Sequence, residues 1–237
     1  MPGSALKANA RKLIFENSPR IFLIALLYVF LITIVAWLAV RLPGNISLQD
    51  IYDRLGSGEI PGFGIIYTNF RLTGVFLAVI LLLLQPILDA GFINFCMKTY
   101  RTQSTEFKDI FNGFLFFTKV LSIFLLTSLF IFLWSLLLLI PGIVAGYRYR
   151  QAYYILFDDP RKGAMQCINE SKTLMNGKKL DLLIIDLSFL GWYLIDYALF
   201  IIMPLPFPFP IVSVWISPYL GLTRVGFYEN LVEEIAV

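Results

Sequence analysis

The chain has 237 residues, of which 58% are hydrophobic and 15% are charged, whereas a soluble domain averages about 45–50% apolar and about 25% charged residues. This composition excludes an ordinary soluble domain and favours a protein that crosses a membrane several times. The net charge of +3 comes with no nucleic-acid-binding motif, and the absence of histidine excludes histidine-based acid–base catalysis, HExxH metal sites and serine–histidine triads.

The N-terminal segment predicts a short basic helix. Over Ser4–Asn17 the residues Lys7, Arg11 and Lys12 fall on one side of a helical pattern, and apolar residues fall on the other. This pattern is typical of a helix that lies on a membrane surface. The apolar run that follows, Ile21–Val40, is too long for the core of a cleavable signal peptide and long enough to cross a hydrocarbon layer of about 30 Å.

Further apolar runs follow at lengths that suit membrane-crossing helices. We predict an all-α transmembrane helical bundle of six spans that forms a single membrane domain over residues 1–237. Pro86 predicts a kink in the second span, Pro141 predicts the end of the third, and alternating prolines before the sixth prevent a helix there. The predicted spans are residues 21–40, 72–97, 120–140, 143–157, 180–203 and 211–231.

Two polar intervals separate some of these spans. The longest, Arg41–Phe70, is rich in glycine and proline and predicts a flexible outer loop. In the interval Asp158–Lys179, one of the two leading aspartates suits a helix cap, Pro160 suits the first helical position and Gly177 suits the end. We therefore expect a second amphipathic surface helix near Lys162–Met175.

The basic residues set the predicted topology, because cytoplasmic segments of membrane proteins carry an excess of lysine and arginine. With six spans and a cytoplasmic N-terminus, thirteen of the nineteen basic residues lie inside, three lie outside and three lie within spans. If Ile143–Phe157 did not cross or at least return the chain, the five basic residues from Arg161 to Lys179 would lie outside. We therefore expect a cell-membrane protein with both termini in the cytoplasm.

Cys96 and Cys167 fall on the side assigned to the cytoplasm, where thiols stay reduced, so we expect both to be free. Their spacing fits no metal site, and no Walker A loop, dinucleotide-binding glycine motif or GxSxG elbow is present. We expect no metal, no cofactor and no nucleic-acid partner. Membrane lipids are the expected partners, and the apolar spans allow a homo-oligomer or a complex with another membrane protein.

Five ionisable residues at similar depth in the predicted spans form the candidate binding site, which we call the charge cluster. A rise of 1.5 Å per helical residue places them about 9–14 Å from the cytoplasmic ends of their spans. Ionisable groups are costly there and usually face a bundle interior or a water-filled cavity. A further carboxylate, Asp196, lies nearer the outer face. The charge cluster comprises Asp89, Arg148, Arg150, Asp186 and Arg224.

Two interpretations of the charge cluster stay open. Ion pairs between Asp186 and Arg224, and between Asp89 and one of the other two arginines, would tie helices together and neutralise most of the cost of burial. Alternatively, the residues would line a polar cavity that opens to the cytoplasm and binds an anionic or zwitterionic group. Arg148 and Arg150 lie about 200° apart around a helix, so they do not share a face.

Several motifs are similar to those of one bacterial membrane family. They are residues 136–144 (Leu-Leu-Leu-Leu-Ile-Pro-Gly-Ile-Val), Tyr147, residues 154–156 with Asp158, Ser171, Met175, Gly177, residues 186–192, Pro218-Tyr219, residues 227–229 and, upstream, residues 109–114. On these residues the chain resembles the domain of unknown function 975 family over nearly its whole length. The resemblance implies a multi-span protein of the bacterial inner membrane and carries over no catalytic residues. The chain departs from the family at Tyr153, where a proline is frequent, and at Ala145, where a lysine is frequent.

The leading hypothesis is a non-enzymatic membrane protein of unknown function that helps maintain the envelope or acts as an accessory to another membrane component. It rests on the lack of catalytic constellations and on the small size of the polar segments. The alternative is a transporter or a lipid- or anion-handling protein that uses the charge cluster as its site. A membrane enzyme is the third hypothesis, because without histidine it would depend on aspartate and arginine alone.

Overall fold

A computed structural model describes residues 3–41, 72–101, 105–202 and 209–236. The described residues fold into helices and contain no strand, which confirms the predicted all-α class. The predicted outer loop, apart from Arg41, and three of the prolines before the last helix (Pro204, Pro206 and Pro208) lie outside the described residues.

The described residues form α-helices and one 3₁₀ segment. In chain order they are α1 (Gly3–Glu16), α2 (Arg20–Arg41), α3 (Leu72–Tyr100), a 3₁₀ segment (Phe107–Phe116), α4 (Phe117–Leu137), α5 (Leu139–Arg148), α6 (Ala152–Asp158), α7 (Ala164–Leu174), α8 (Lys179–Ile202) and α9 (Ile211–Ala236). The chain forms two compact units, one of residues 1–30 and 86–237 and the other of residues 31–85. The second unit contains the end of α2 and the beginning of α3. The contacts that shape the candidate site lie within the first unit.

Four helical stretches are long and apolar enough to cross a membrane. They are Arg20–Ala39, Ala78–Tyr100, Phe107–Leu137 and Lys179–Ile202. Their length and composition define a helical membrane protein. They correspond to four of the six predicted spans. The other two predicted spans fall on α9, which carries an arginine and three glutamates in its second half, and on the segment that follows α4.

α5 and α6 return along α4 and form a helical hairpin with it. α4 ends at Leu137, and Pro141, which predicted the end of the third span, lies in the first turn of α5, where a proline is tolerated. The contacts along the hairpin, from tip to base, are Ser135–Gly142, Phe130–Tyr149 (ring centroids 5.8 Å apart), Phe116–Phe157 (6.1 Å) and Lys119 Nζ to the carbonyl of Pro160 (2.5 Å). The chain therefore returns to the level at which α4 begins.

The returning segment is two short helices and not the single predicted span Ile143–Phe157. The helix breaks after Arg148, so backbone groups at the break lose their helical hydrogen bonds. A serine side chain of α7 forms hydrogen bonds with two of these groups instead. The Ser171 hydroxyl donates to the carbonyl of Arg148 (2.9 Å) and accepts from the N–H of Gln151 (3.1 Å). The fully buried Ser171 thereby holds the break in place.

α1 is the predicted basic amphipathic helix, but its apolar face packs on protein and not on lipid. Leu6 packs against α9, and the amide of Asn9 donates to the hydroxyl of Tyr100 at the end of α3 (3.1 Å). Arg11 and Lys12 remain exposed. The buried side chains of α1 are Leu6, Ala10, Leu13 and Ile14.

The second predicted amphipathic helix is present as α7. Its buried side chains are Cys167, Ile168 and Ser171, which face α4 and α6. Gly177, with a φ of +75°, lies in the turn after α7, as the sequence predicts for a helix end.

The predicted start of this helix is wrong. α7 begins at Ala164, so Pro160 does not occupy its first position and neither leading aspartate caps it. Asp159 instead accepts a hydrogen bond from the backbone N–H of Arg161 (3.2 Å) and closes a turn. Asp158 is the last residue of α6 and binds partners on other helices.

Ionic contacts join helix ends at one end of the first unit, which we call the basic end. Arg101, just after α3, lies 2.7 Å from Asp158 at the end of α6 and 2.7 Å from Glu229 near the end of α9. Lys178, just before α8, lies 2.6 Å from Glu234. The predicted topology places these helix ends on the same side of the membrane. We call the opposite end, where α4 turns into α5, the tip end.

Candidate functional site

Asp186 and Arg224 form an ion pair that ties α8 to α9. Both Nε and Nη2 of Arg224 lie 2.9 Å from Asp186 Oδ1, and the Tyr147 hydroxyl of α5 donates to Oδ2 (3.2 Å). The two charged side chains are only 15% and 23% exposed. This pairing is the first of the two that the ion-pair interpretation of the charge cluster requires, and it connects three helices where isolated charges would be costly.

Asp89 forms a hydrogen bond to a tyrosine instead of pairing with an arginine. The Tyr28 hydroxyl of α2 donates to Asp89 Oδ1 (2.8 Å), and the Tyr28 ring stacks on Phe92 with centroids 4.0 Å apart. A neutral phenol supplies a hydrogen bond but no opposite charge. The predicted ion pair between Asp89 and Arg148 or Arg150 is not formed.

Arg148 and Arg150 flank the break between α5 and α6. Within the described parts of the chain, their guanidinium groups have no ion pair and no hydrogen bond. Arg150 is exposed, and it acts electrostatically on Asp89 and on Tyr153. Arg148 is half-buried. Of the five predicted residues, the structure therefore joins Asp186 and Arg224 directly, whereas Asp89, Arg148 and Arg150 form no ion pair with one another.

Asp196, the predicted outlier in depth, caps a helix. Its carboxylate accepts hydrogen bonds from the backbone N–H groups of Val212 and Ser213 (both 2.8 Å) and from the Ser213 hydroxyl (2.6 Å). The first N–H groups of a helix have no partner within the helix, and lipid offers none. Asp196 thus satisfies the start of α9 from the neighbouring helix α8.

A four-residue ionic contact at the basic end, the Arg101 node, was not predicted. Arg101 binds Asp158 and Glu229, as described above, and the Tyr228 hydroxyl donates to Asp158 Oδ2. The Tyr228 ring also stacks on Tyr154, with centroids 5.2 Å apart. Asp158, Tyr228 and Glu229 all belong to the motifs of the family resemblance. That shared membership was the sequence feature that could have indicated the Arg101 node.

Asp109 organises the 3₁₀ segment. Its buried carboxylate accepts hydrogen bonds from Lys98 of α3 (2.5 Å), from the backbone N–H of Glu106 (2.7 Å) and from the Asn112 amide (3.1 Å). These contacts account for the aspartate and the asparagine in the motif at residues 109–114.

Two glycines let the 3₁₀ segment and α3 meet backbone to backbone. A β-carbon on Gly91 would overlap the carbonyl of Ile110, and one on Gly113 would overlap the carbonyl of Ile87. Close approach through small residues is a common way for helices to associate in membranes. It explains why glycine stands at position 113 of the motif.

Two titratable groups in the interval around α7, Lys162 and Cys167, have a raised pKa. The hydrogen bond that Lys162 donates to Glu170 (2.6 Å) raises the pKa of Lys162. Burial raises the pKa of the Cys167 thiol, which therefore stays protonated and unreactive at neutral pH. Cys96 and Cys167 are both free, as the sequence predicted, and both are buried.

Taken together, the helices and their polar contacts define a membrane protein in which a buried ion pair and a helix cap join the spans. Residues 136–234 match the family described as protein of unknown function (DUF975), and the predicted resemblance to that family is confirmed over this region. The match is shorter than the nearly full-length resemblance inferred from the sequence, and the motif at residues 109–114 lies outside it. No curated protein and no solved structure matches the chain.

Proposed function

We propose that the protein is a non-enzymatic component of the bacterial inner membrane that helps maintain the envelope or serves as an accessory to another membrane component. The observation that carries this proposal is the use of the aspartates within the spans. Asp186 binds Arg224, Asp196 caps α9 and Asp89 binds Tyr28. These contacts hold helices together, and a scaffold that presents its surface helices to a partner needs such contacts.

The orientation that this proposal requires has both termini in the cytoplasm. The basic end unites the ends of helices that the charge distribution assigns to the cytoplasm, which supports that orientation. Ser4→Cys and Leu138→Cys, treated separately with a membrane-impermeant maleimide in intact cells, should differ in the extent of labelling. Leu138 at the tip end should react, and Ser4 should react only after the cells are opened. Labelling of both positions from one side would overturn the orientation.

Photo-crosslinking tests the accessory role. Met165 of α7 and Leu129 of α4 have side chains that are 46% and 51% exposed, so they form a matched pair. A benzophenone amino acid at position 165 should give a discrete protein adduct that mass spectrometry identifies, and one at position 129 should give lipid adducts. Identical adducts at the two positions would contradict a partner at α7.

Reconstitution tests the non-enzymatic part of the proposal. The purified chain in liposomes should release no product from labelled phospholipid or from labelled cell-wall peptide. Turnover of either substrate that tracks with the purified protein would overturn the proposal.

A second candidate function, lipid or anion handling, is favoured by Arg150. This arginine is exposed, and its guanidinium has no ion pair with a described residue. A free guanidinium within a predicted span offers a binding site for phosphate or carboxylate. Arg150→Gln should weaken the retention of phospholipid by the purified protein, as measured by native mass spectrometry. Unchanged retention would exclude this function for Arg150.

A further inference from the structure

The Arg101 node fixes the register between α3 and α6. Both helices run towards the basic end, where Arg101 and Asp158 meet at 2.7 Å. Asp89 lies twelve residues before Arg101, or about 18 Å along the helix, and Arg150 lies eight residues before Asp158, or about 12 Å. The long arginine side chain can cover the difference of about 6 Å. Arg150, in the turn that precedes α6, also interacts electrostatically with Asp89 of α3, so the two side chains lie near each other.

These two opposite charges do not neutralise each other. Asp89 is held by the Tyr28 hydroxyl at 2.8 Å, and no ion pair within 4.0 Å joins Asp89 to Arg150. Asp186 and Arg224, by contrast, meet directly at 2.9 Å. The charge cluster thus contains one closed ion pair and one open pair of opposite charges.

We propose that the open pair binds a zwitterion that carries a phosphate and a primary ammonium group. Arg150 binds the phosphate and Asp89 binds the ammonium group. The inference rests on the lipid- or anion-handling function proposed above and narrows its ligand class. The headgroup of phosphatidylethanolamine has this chemistry, and so does free phosphoethanolamine.

The chemistry of each side chain supports this assignment. The planar guanidinium presents paired N–H donors that match two phosphate oxygens. A carboxylate is an acceptor only, and a primary ammonium group offers it three N–H donors. A choline headgroup has no N–H for Asp89, and a glycerol headgroup has no cation. Phosphatidylcholine and phosphatidylglycerol, which carry these headgroups, are therefore informative controls.

Lipid titration of the purified full chain, followed by native mass spectrometry, tests the proposal. Phosphatidylethanolamine should bind at least about tenfold more tightly than phosphatidylcholine. Asp89→Asn keeps an acceptor for Tyr28 and should abolish that preference without changing phosphatidylcholine binding. Arg150→Gln should weaken both lipids by about tenfold, whereas Arg150→Lys should retain part of the affinity.

Arg148→Gln is the matched control, because it removes the same charge two residues away and should change neither affinity. Equal binding of the two lipids by the unchanged protein, or equal effects of Arg148→Gln and Arg150→Gln, would overturn the zwitterion site. Binding of phosphatidylglycerol that depends on Arg150 but not on Asp89 would also overturn the zwitterion site. The proposed lipid- or anion-handling function would remain supported in that case.

The source of the zwitterion is a separate arm of the same experiment. Soluble phosphoethanolamine is added to the protein that carries bound phosphatidylethanolamine. Displacement at millimolar concentration would support a free zwitterion as ligand, and retention of the lipid would support the headgroup. Size-exclusion chromatography of every variant shows whether it is folded and monodisperse before its affinity is compared.

Discussion

The two halves of α8 differ in what surrounds them. Towards the basic end, Leu182, Ile185 and Phe189 are buried, and Phe189 is only 1% exposed. Towards the tip end, nearly every side chain is exposed, and Ile202 reaches 74%. The tip of the hairpin shows the same pattern, since Leu138 is 69% exposed. In α8 and the hairpin, the basic end is therefore packed against protein, and the tip end leaves its side chains exposed.

This difference shows where helix association in the molecule comes from. Lipid tails are as apolar as leucine, so apolar side chains gain little by leaving lipid for a helix neighbour. Ion pairs and close backbone contacts are what favour association, and most of those described here lie in the basic half. In the tip half, Asp196 supplies a polar contact between helices by capping the start of α9. Substitutions in the two halves should therefore differ in effect.

The largest loss of folding stability should come from substitution of Asp186. Asp186→Ala leaves the charge of Arg224 without its partner, and breaking a buried pair in this way costs about 3–5 kcal/mol. Titration with SDS from mixed micelles, followed by circular dichroism, measures the loss. The double variant Asp186→Leu/Arg224→Leu should lose less than either single variant, because no charge remains unpaired. If the double variant lost as much stability as the two single variants together, the ion pair between Asp186 and Arg224 would not stabilise the protein.

Glycine substitutions compare the two halves directly. Gly91→Ala forces a β-carbon into the backbone of Ile110 and should destabilise the protein by about 1–3 kcal/mol. Gly191→Ala is the matched control in the tip half of α8, where nothing lies within 4 Å of the new methyl group. It should be neutral or should stabilise the helix by up to about 1 kcal/mol. Equal destabilisation by the two substitutions would show that the halves do not differ in packing.

The tip half should respond to loss of its helix cap. Asp196→Ala removes the acceptor for two backbone N–H groups and should cost about 1 kcal/mol. Hydrogen–deuterium exchange should show faster uptake at the amides of Val212 and Ser213 and no change at the basic end. Asp196→Asn retains an acceptor and should restore part of the protection. Unchanged exchange at these amides in Asp196→Ala would show that Asp196 does not stabilise the start of α9.

The smallest effect is a pH dependence at the basic end. The hydrogen bond from Lys178 lowers the pKa of Glu234 below its ordinary value of 4.5. A depressed carboxylate pKa stabilises the fold above pH 4.5, and that contribution is lost as the pH falls through the lower folded value. The carboxyl carbon of Glu234, followed by NMR, should titrate below pH 4.5. In Lys178→Gln its midpoint should return towards 4.5, and an unchanged midpoint would contradict the pairing.

The sequence predicted the features that depend on local pattern and depth. The all-α class and the buried faces of α1 and α7 follow from helical periodicity. The pairing of Asp186 with Arg224 was one of two interpretations that the cost of charge in lipid left open. The predicted cap at Asp158 or Asp159 was wrong, because a carboxylate shortly before a proline suits a turn or an ion pair as well as a helix cap. Arg101, which decides between them, lies 57 positions earlier in the chain.

Two other features depend on contacts that no local pattern contains. The break after Arg148 is held by Ser171, which belongs to a different helix. The role of Asp196 as a cap was not predicted, although the start of α9 needs an acceptor that lipid does not provide. Choosing Asp196 for it required knowing which residue of α8 lies beside Val212. In each case the polar group was visible in the sequence and its partner was not.

The Arg101 node has a consequence for how related chains diverge. Asp158 and Glu229 lie inside the region that matches the family, and Arg101 lies 35 positions before that region begins. A related chain that keeps both carboxylates must supply a cation to them from a part of its sequence that the family description does not cover. Changes at position 101 should therefore accompany changes at positions 158 and 229 when full-length relatives are aligned.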